Sequence, residues 1–114
     1  EVVYANDGFV ELNFSVTPNL ANPANFLHGG IQCALLDEAI GIAGATLGHN
    51  QFLFAIDLKI DYMRPAPIGT DLIVRGQVIR RGNNIFNCTG EIRAKNGKLI
   101  SQARSNLIKK PNSS

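Results

Sequence analysis

The chain has 114 residues, 45% of them hydrophobic and 18% charged, and its eleven basic and nine acidic side chains leave a net charge of +2. That length suits one core, taken as a single domain over residues 1–110, and the charge is too small to argue for nucleic acid although a small anionic ligand fits it. No stretch approaches the ~20 apolar residues of a membrane span, and the two cysteines, Cys33 and Cys88, show neither metal-ligand spacing nor a secreted disulfide density. A cytoplasmic protein with no membrane partner, no metal and both cysteines in the core is the expectation.

In chain order, residues 9–16 place Val10, Leu12, Phe14 and Val16 on one face with Glu11, Asn13 and Ser15 opposite, the alternation of a half-buried strand. Asn6-Asp7-Gly8 is a turn signal, so residues 2–5 fit a preceding strand. Residues 17–27 carry two prolines and three asparagines and read as a loop. A helix enters at His28 or Gly29 and closes around Leu47, Gly48, His49 and Asn50, where His49 reads as structural. Residues 52–63 alternate continuously, with Phe54, Ile56, Leu58, Ile60 and Tyr62 on one side and Ala55, Asp57, Lys59 and Asp61 on the other. Pro65, Pro67 and Gly69 stop that strand. Residues 71–81 follow as a strand, Gly82-Asn83-Asn84 as a hairpin loop, then residues 84–95 with Phe86, Cys88, Ile92 and Ala94 in phase. Asn96-Gly97 predicts a two-residue hairpin turn into a last strand, and the tail 111–114 reads as disordered.

One long helix and a run of strands joined by short turns predict an α+β fold, with an antiparallel sheet whose apolar face only that helix is available to cover. Ile31, Ala34, Leu35, Ala39, Ile40, Ile42, Ala43 and Leu47 occupy most of the helix circumference, as in a helix enclosed on several sides. Gly41 and Gly44 each lower helix propensity by about 1 kcal/mol, which argues for close approach of another backbone.

Within that apolar helix stand two adjacent carboxylates, Asp37 and Glu38. By composition alone such a pair marks a solvent edge, a lone His28 is a structural histidine, and Gly29-Gly30 is a tight helix entry. The segment Asn22-Pro23-Ala24-Asn25-Phe26-Leu27-His28-Gly29-Gly30, with Asp37 nine residues after the histidine and Ala39-Ile40-Gly41-Ile42-Ala43 beyond it, resembles the active-site segment of the hotdog-fold acyl-CoA thioesterases. Within these the segment resembles the PaaI-like group, which acts on phenylacetyl-CoA and 4-hydroxybenzoyl-CoA. Tyr62-Met63-Arg64-Pro65-Ala66, Gly69 and the Asn96-Gly97-Lys98 hairpin extend the resemblance over nearly the whole chain.

The resemblance implies a curved antiparallel sheet of five or six strands wrapped round one central helix. It also implies a homodimer, further paired as a dimer of dimers, with active sites at the subunit interface. It implies hydrolysis of an aryl- or medium-chain acyl-CoA, the CoA being part of the substrate and no cofactor being required. Asp37 matches the carboxylate that activates water or attacks the thioester carbonyl, Gly29 the backbone N–H that polarises that carbonyl, Asn22 an assisting asparagine, and His28 a residue that shapes the site. Glu38 has no role to carry over, and Ala55 stands where many relatives have a Ser or Thr that helps hold the water.

Elementary physics supports parts of this. The first N–H groups of a helix lack intrahelical acceptors and sit at the positive end of its dipole, so Gly29 and Gly30 suit a developing oxyanion. A carboxylate enclosed by protein is a better base than a solvated one. Gly29 and Asp37 are eight residues apart, roughly 12 Å along a helix axis at ~1.5 Å per residue. One carbonyl therefore meets both only if they come from different chains. Arg64, Arg80 and Arg81, at strand ends, are candidates for the CoA phosphates, with solvated strand ends as the plain alternative. A non-catalytic acyl-CoA-binding or sensing domain is the competing function, supported by Ala55. A hotdog dehydratase is disfavoured because no second histidine–acid motif is visible.

Overall fold

Alternating side chains and turn residues lay down most of the sheet as read. The computed structural model describes residues 1–48 and 52–110. Strands β1 (Val2–Asn6) and β2 (Phe9–Ser15) form a hairpin. Its turn residues Asp7 and Gly8 both have positive φ, 51° and 83°, the type I′ geometry that matches strand twist. Helix α1 spans Gly29–Ala45. Five strand segments follow: β3 (Phe52–Ala55), β4 (Lys59–Tyr62), β5 (Asp71–Arg81), β6 (Ile85–Ala94) and β7 (Leu99–Lys110). All pairings are antiparallel. The order is β1-β2-β5-β6-β7-β3, with β4 also on β7, so β3 and β4 share one edge position of a six-position sheet.

The helix lies across the sheet, and Leu36, Ala39, Ile40 and Ala43 join Val10, Leu12, Leu72, Val74, Ile92, Ile100 and Leu107 in one buried cluster. Their close approach depends on two glycines facing each other across β5 and β6, Gly76 and Gly90. A Cβ on Gly76 would stand 2.5 Å from the Ala39 carbonyl oxygen, and one on Gly90 would meet Leu36 and Ile40 at 3.2 and 3.3 Å. Cys88 is buried in this core, where desolvation pushes its thiol up to about 11, while Cys33 on α1 is only half-buried. On the opposite face of the sheet Arg75 bridges Glu11 and Glu91, and Arg93 also reaches Glu91.

Several expectations are corrected. The strand read as continuous over residues 52–63 is broken at Ile56–Leu58. The Asp57 carboxylate accepts hydrogen bonds from the Asn106 backbone N (2.7 Å) and Nδ2 (2.9 Å). The Ser105 hydroxyl donates to the Asp57 carbonyl (2.7 Å), and a side chain thereby takes the place of a ladder bond. This segment pairs with β7 and not with β5, its successor in sequence. Asn96-Gly97 is not a two-residue turn: Ala94 N donates to Lys98 O, Gly97 N donates to Ala94 O, and only Gly97 has positive φ (94°). That is a three-residue loop ending in a left-handed glycine.

The helix is not enclosed all round within one chain. Gly30, Ala34, Asp37, Glu38, Gly41 and Ala45 form an exposed stripe along it. The backbone contact expected at Gly41 and Gly44 lies elsewhere, at Gly76. Gly41 has open space around it, and Gly44 is approached by the side chains of Leu53 and Leu107. The helix ends at Thr46, followed by Gly48 at φ 81°. His49, Asn50 and the tail 111–114 lie outside the described residues.

Because Ala39 O occupies the space a Gly76 side chain needs, Gly76→Ala is expected to lower unfolding free energy by about 1–3 kcal/mol. Gly41→Ala, with nothing near it, is expected to raise it by up to about 1 kcal/mol. Urea denaturation of both variants checks the pair.

Candidate active site

The loop before α1 is built to deliver a helix start with free donors. A short 3-10 turn, Pro18–Leu20, leads into it. Asn22 Oδ1 accepts hydrogen bonds from the N–H groups of Ala24 (3.0 Å) and Phe26 (3.1 Å), an Asx-type turn. Its own N–H donates to Phe26 O (2.7 Å), and Asn25 takes positive φ (70°). With Oδ1 committed to two backbone donors, the orientation of the amide is set and Nδ2 is the end left to face a ligand. Leu27 N then donates to Ala66 O (2.8 Å) and His28 N to Leu20 O (3.1 Å), tying the loop to both flanking segments.

His28 is the N-cap, exposed, and no side chain caps the helix. Its carbonyl accepts from both Ile31 N and Gln32 N, each at 3.1 Å. This carbonyl belongs to the same peptide unit as the Gly29 N–H, so the two bonds polarise that donor. There is no acidic residue in the first turn to compete for it. Neither glycine is demanded by packing within the chain: a Cβ at Gly30 would meet nothing within 4 Å, and one at Gly29 only the Tyr62 ring at 3.6 Å. Glycine is a poor helix former, so neither propensity nor packing among the described residues accounts for the pair.

Tyr62, which the sequence offers as an alternating strand residue and as part of the segment that extends the family resemblance, without a role, stands beside the helix start. Its hydroxyl donates to the Gly29 carbonyl at 3.1 Å. The partners are 33 residues apart, and no local pattern signals such a contact.

The remaining predicted residues are distributed as follows. Asp37 and Glu38 lie on the exposed helix stripe, and neither forms an ion pair among the described residues. No described residue of the chain encloses Asp37. Arg64 leaves β4 two residues after Tyr62, and its Nη1 donates to Leu99 O (3.0 Å), so it stands at the same end of the sheet as Gly29. Arg80 and Arg81 do not join them. Arg80 pairs with Asn87, and Asn87 with Asn106, five residues along β7 from Ser101, the partner of Tyr62. At ~3.3 Å per residue that separation is about 17 Å. Arg80 Nη1 donates to Asn87 Oδ1 (3.4 Å). Ala55 is exposed on β3. Among the described residues no cluster of His, Cys, Asp and Glu could hold a metal ion, and no helix is long and apolar enough to cross a membrane.

Comparison with known proteins identifies the family and the fold. A family model described as the thioesterase superfamily matches residues 24–101, a span that takes in the glycine pair, Asp37, Tyr62 and Arg64. Human acyl-coenzyme A thioesterase 13 is 29% identical over 90% of this chain and 74% of its own length. Among solved structures, zebrafish thioesterase superfamily member 2 superposes with a TM-score of 0.90 at 31% identity, covering 95% of this chain and 79% of its own. The Escherichia coli PaaI protein from the phenylacetic acid degradation operon superposes with a TM-score of 0.88 at 25% identity, covering 95% and 81%. The curled sheet and single helix are thus those of the hotdog fold.

The two roles of the Asn22 side chain are separable. Asn22→Asp keeps both acceptor bonds and should leave the thermal midpoint within about 2 °C of wild type, whereas Asn22→Ala loses them and should fall by roughly 4–8 °C, the equivalent of about 1 kcal/mol in a domain this size. Calorimetry of the two variants measures the difference.

Proposed function

The chain belongs to the thioesterase superfamily, and we propose that it hydrolyses the thioester of an aryl- or medium-chain acyl-CoA at a site shared between two subunits. The observation that carries this reading is the uncapped start of α1, where the polarised Gly29 N–H and its neighbour Gly30 are backed by glycines that no packing contact requires. The naming of human thioesterase 13 for acyl-coenzyme A supports the substrate class.

In this mechanism the thioester carbonyl oxygen lies against the Gly29 N–H, with Asn22 Nδ2 as an assisting donor and His28 forming the wall of the site. Asp37 removes a proton from a water molecule, whose oxygen bonds to the acyl carbon. The carbonyl electrons move onto the oxygen held by the helix N-terminus. Collapse of this intermediate breaks the C–S bond, CoA leaves as a thiolate, and the proton is returned to give free thiol and acid. Direct attack by the Asp37 carboxylate, with an anhydride then cleaved by water, uses the same groups. A thiolate is a good leaving group, so no separate general acid is required.

Eight residues of α1 put about 12 Å between the Gly29 and Asp37 backbones, which favours a site in which one carbonyl meets these two groups from different chains. Asp37 of a second subunit would fill that gap. An apolar surface for such pairing, on the side of the sheet that carries Tyr62, is the β3–β4 edge, which exposes Phe54 (47%), Ile56 (56%), Tyr62 (55%) and Met63 (53%). An edge of that character is an association surface, and we assign it to a homodimer, itself able to pair into a dimer of dimers. Arg64 would meet CoA phosphates from the subunit that supplies Gly29, and Arg80 and Arg81, at the other sheet end, from elsewhere in the assembly. The reading suits a cytoplasmic acyl-CoA pool.

A second reading, an acyl-CoA-binding domain without turnover, is favoured by Ala55, which offers no hydroxyl to hold the water. Thiol release over a panel of aryl- and alkyl-CoAs separates the two. Wild type is expected to release thiol, and Asp37→Asn to lower the rate at least about a hundredfold while remaining dimeric by light scattering. Binding of acyl-CoA without any thiol release across the panel would establish the second reading instead.

A further inference from the structure

Resting on the thioesterase reading, we propose that Tyr62 is a positioning residue for the oxyanion site. Its hydroxyl, donated from β4 into the Gly29 carbonyl, orients and polarises the Gly29–Gly30 peptide so that the Gly30 N–H acts as a second donor beside that of Gly29.

The argument begins with peptide units. The Gly29 N–H shares its peptide with the His28 carbonyl, which is loaded by Ile31 N and Gln32 N as at the start of an ordinary helix. The Gly30 N–H shares its peptide with the Gly29 carbonyl, the one Tyr62 reaches. A hydrogen bond to a carbonyl makes the N–H at the other end of the same peptide a stronger donor, and it also restrains the plane in which that N–H points. Both N–H groups therefore sit on loaded peptides at an uncapped helix start.

The bond is not incidental to burial. Within the chain Tyr62 is 55% exposed, so its hydroxyl could be satisfied by water, yet two ring carbons and the hydroxyl oxygen stand 3.6 Å from a Cβ position at Gly29. The strand end that carries Tyr62 is itself held fast. Tyr62 pairs with Ser101, and the next two N–H groups, of Met63 and Arg64, both donate to Ile100 O at 2.8 and 3.0 Å. A well-paired strand end thus reaches the glycine-rich first turn and adds a side-chain bond to its backbone bonds.

Tyr62→Phe keeps the ring contact and removes only the hydroxyl. It is expected to lower kcat for thiol release about three- to tenfold with KM changed by less than about twofold, and to lower the thermal midpoint by no more than about 4 °C. In the 15N-labelled protein the Gly30 amide proton should move upfield while those of the distant Gly8 and Gly97 hold, a readout that needs no turnover. Unchanged kcat, a loss confined to KM, or an unmoved Gly30 amide overturns the proposal. Wild-type protein that releases no thiol from any acyl-CoA would defeat the hydrolase reading by itself. The amide would then decide alone: if it moves, Tyr62 orients a donor for acyl-CoA binding, and if it does not, Tyr62 has no such role.

Discussion

The fold depends on how closely the α1 backbone presses onto the sheet at Gly76. With the Ala39 carbonyl standing where a Gly76 side chain would be, and Leu36 and Ile40 settled over Gly90, the helix backbone lies deep against the sheet and shares one core with it. That depth has two consequences for the site. It brings the start of α1 down to the end of β4, within reach of Tyr62. It also turns the face carrying Ala34, Asp37 and Gly41 away from the sheet, where one chain has nothing to cover it.

The donors and the carboxylate are thereby separated by construction. The donors are held by local backbone bonding and by one long-range side chain, so they are already arranged before a ligand arrives, which is what electrostatic stabilisation of an oxyanion requires. Asp37 stands about two turns further along the same rigid helix and cannot swing back to them. A rigid helix is a good device for positioning each group and a poor one for bringing them together, and the pairing of two copies that we propose would resolve the conflict. The small side chains flanking Asp37 on its stripe leave room for a substrate or a second subunit to approach the carboxylate closely.

Features governed by neighbours in sequence were legible. The alternation of Val10, Leu12 and Phe14, the Asp7-Gly8 turn and the helix entry at Gly29 all follow from period and turn chemistry. The resemblance carried by His28-Gly29-Gly30 and Asp37 pointed to the family that the superposed structures share. Features governed by distant partners were not. The break at Asp57 requires Asn106 and Ser105, 49 and 48 residues away, and the flawless alternation through it conceals the interruption. The same holds for Tyr62 and Gly29. Apolar content misled in α1, because alanine and glycine count as apolar in a pattern whether they are packed or exposed, so a stripe of small residues read as enclosure. At Asn96-Gly97 the dipeptide was read correctly as a turn, but the loop length was set by the pairing of Ala94 with Lys98.

The central claim is that an acyl carbonyl bound at one subunit's helix start is attacked under the control of the other subunit's Asp37. Mixing two inactive parents tests it directly. Asp37→Asn removes the base, and Gly29→Pro removes the donor at the first helical position, where proline is otherwise well tolerated. If sites are shared, each mixed dimer has one intact site, and random exchange restores about a quarter of wild-type activity. Verified subunit exchange with no recovery above the parents would contradict the account.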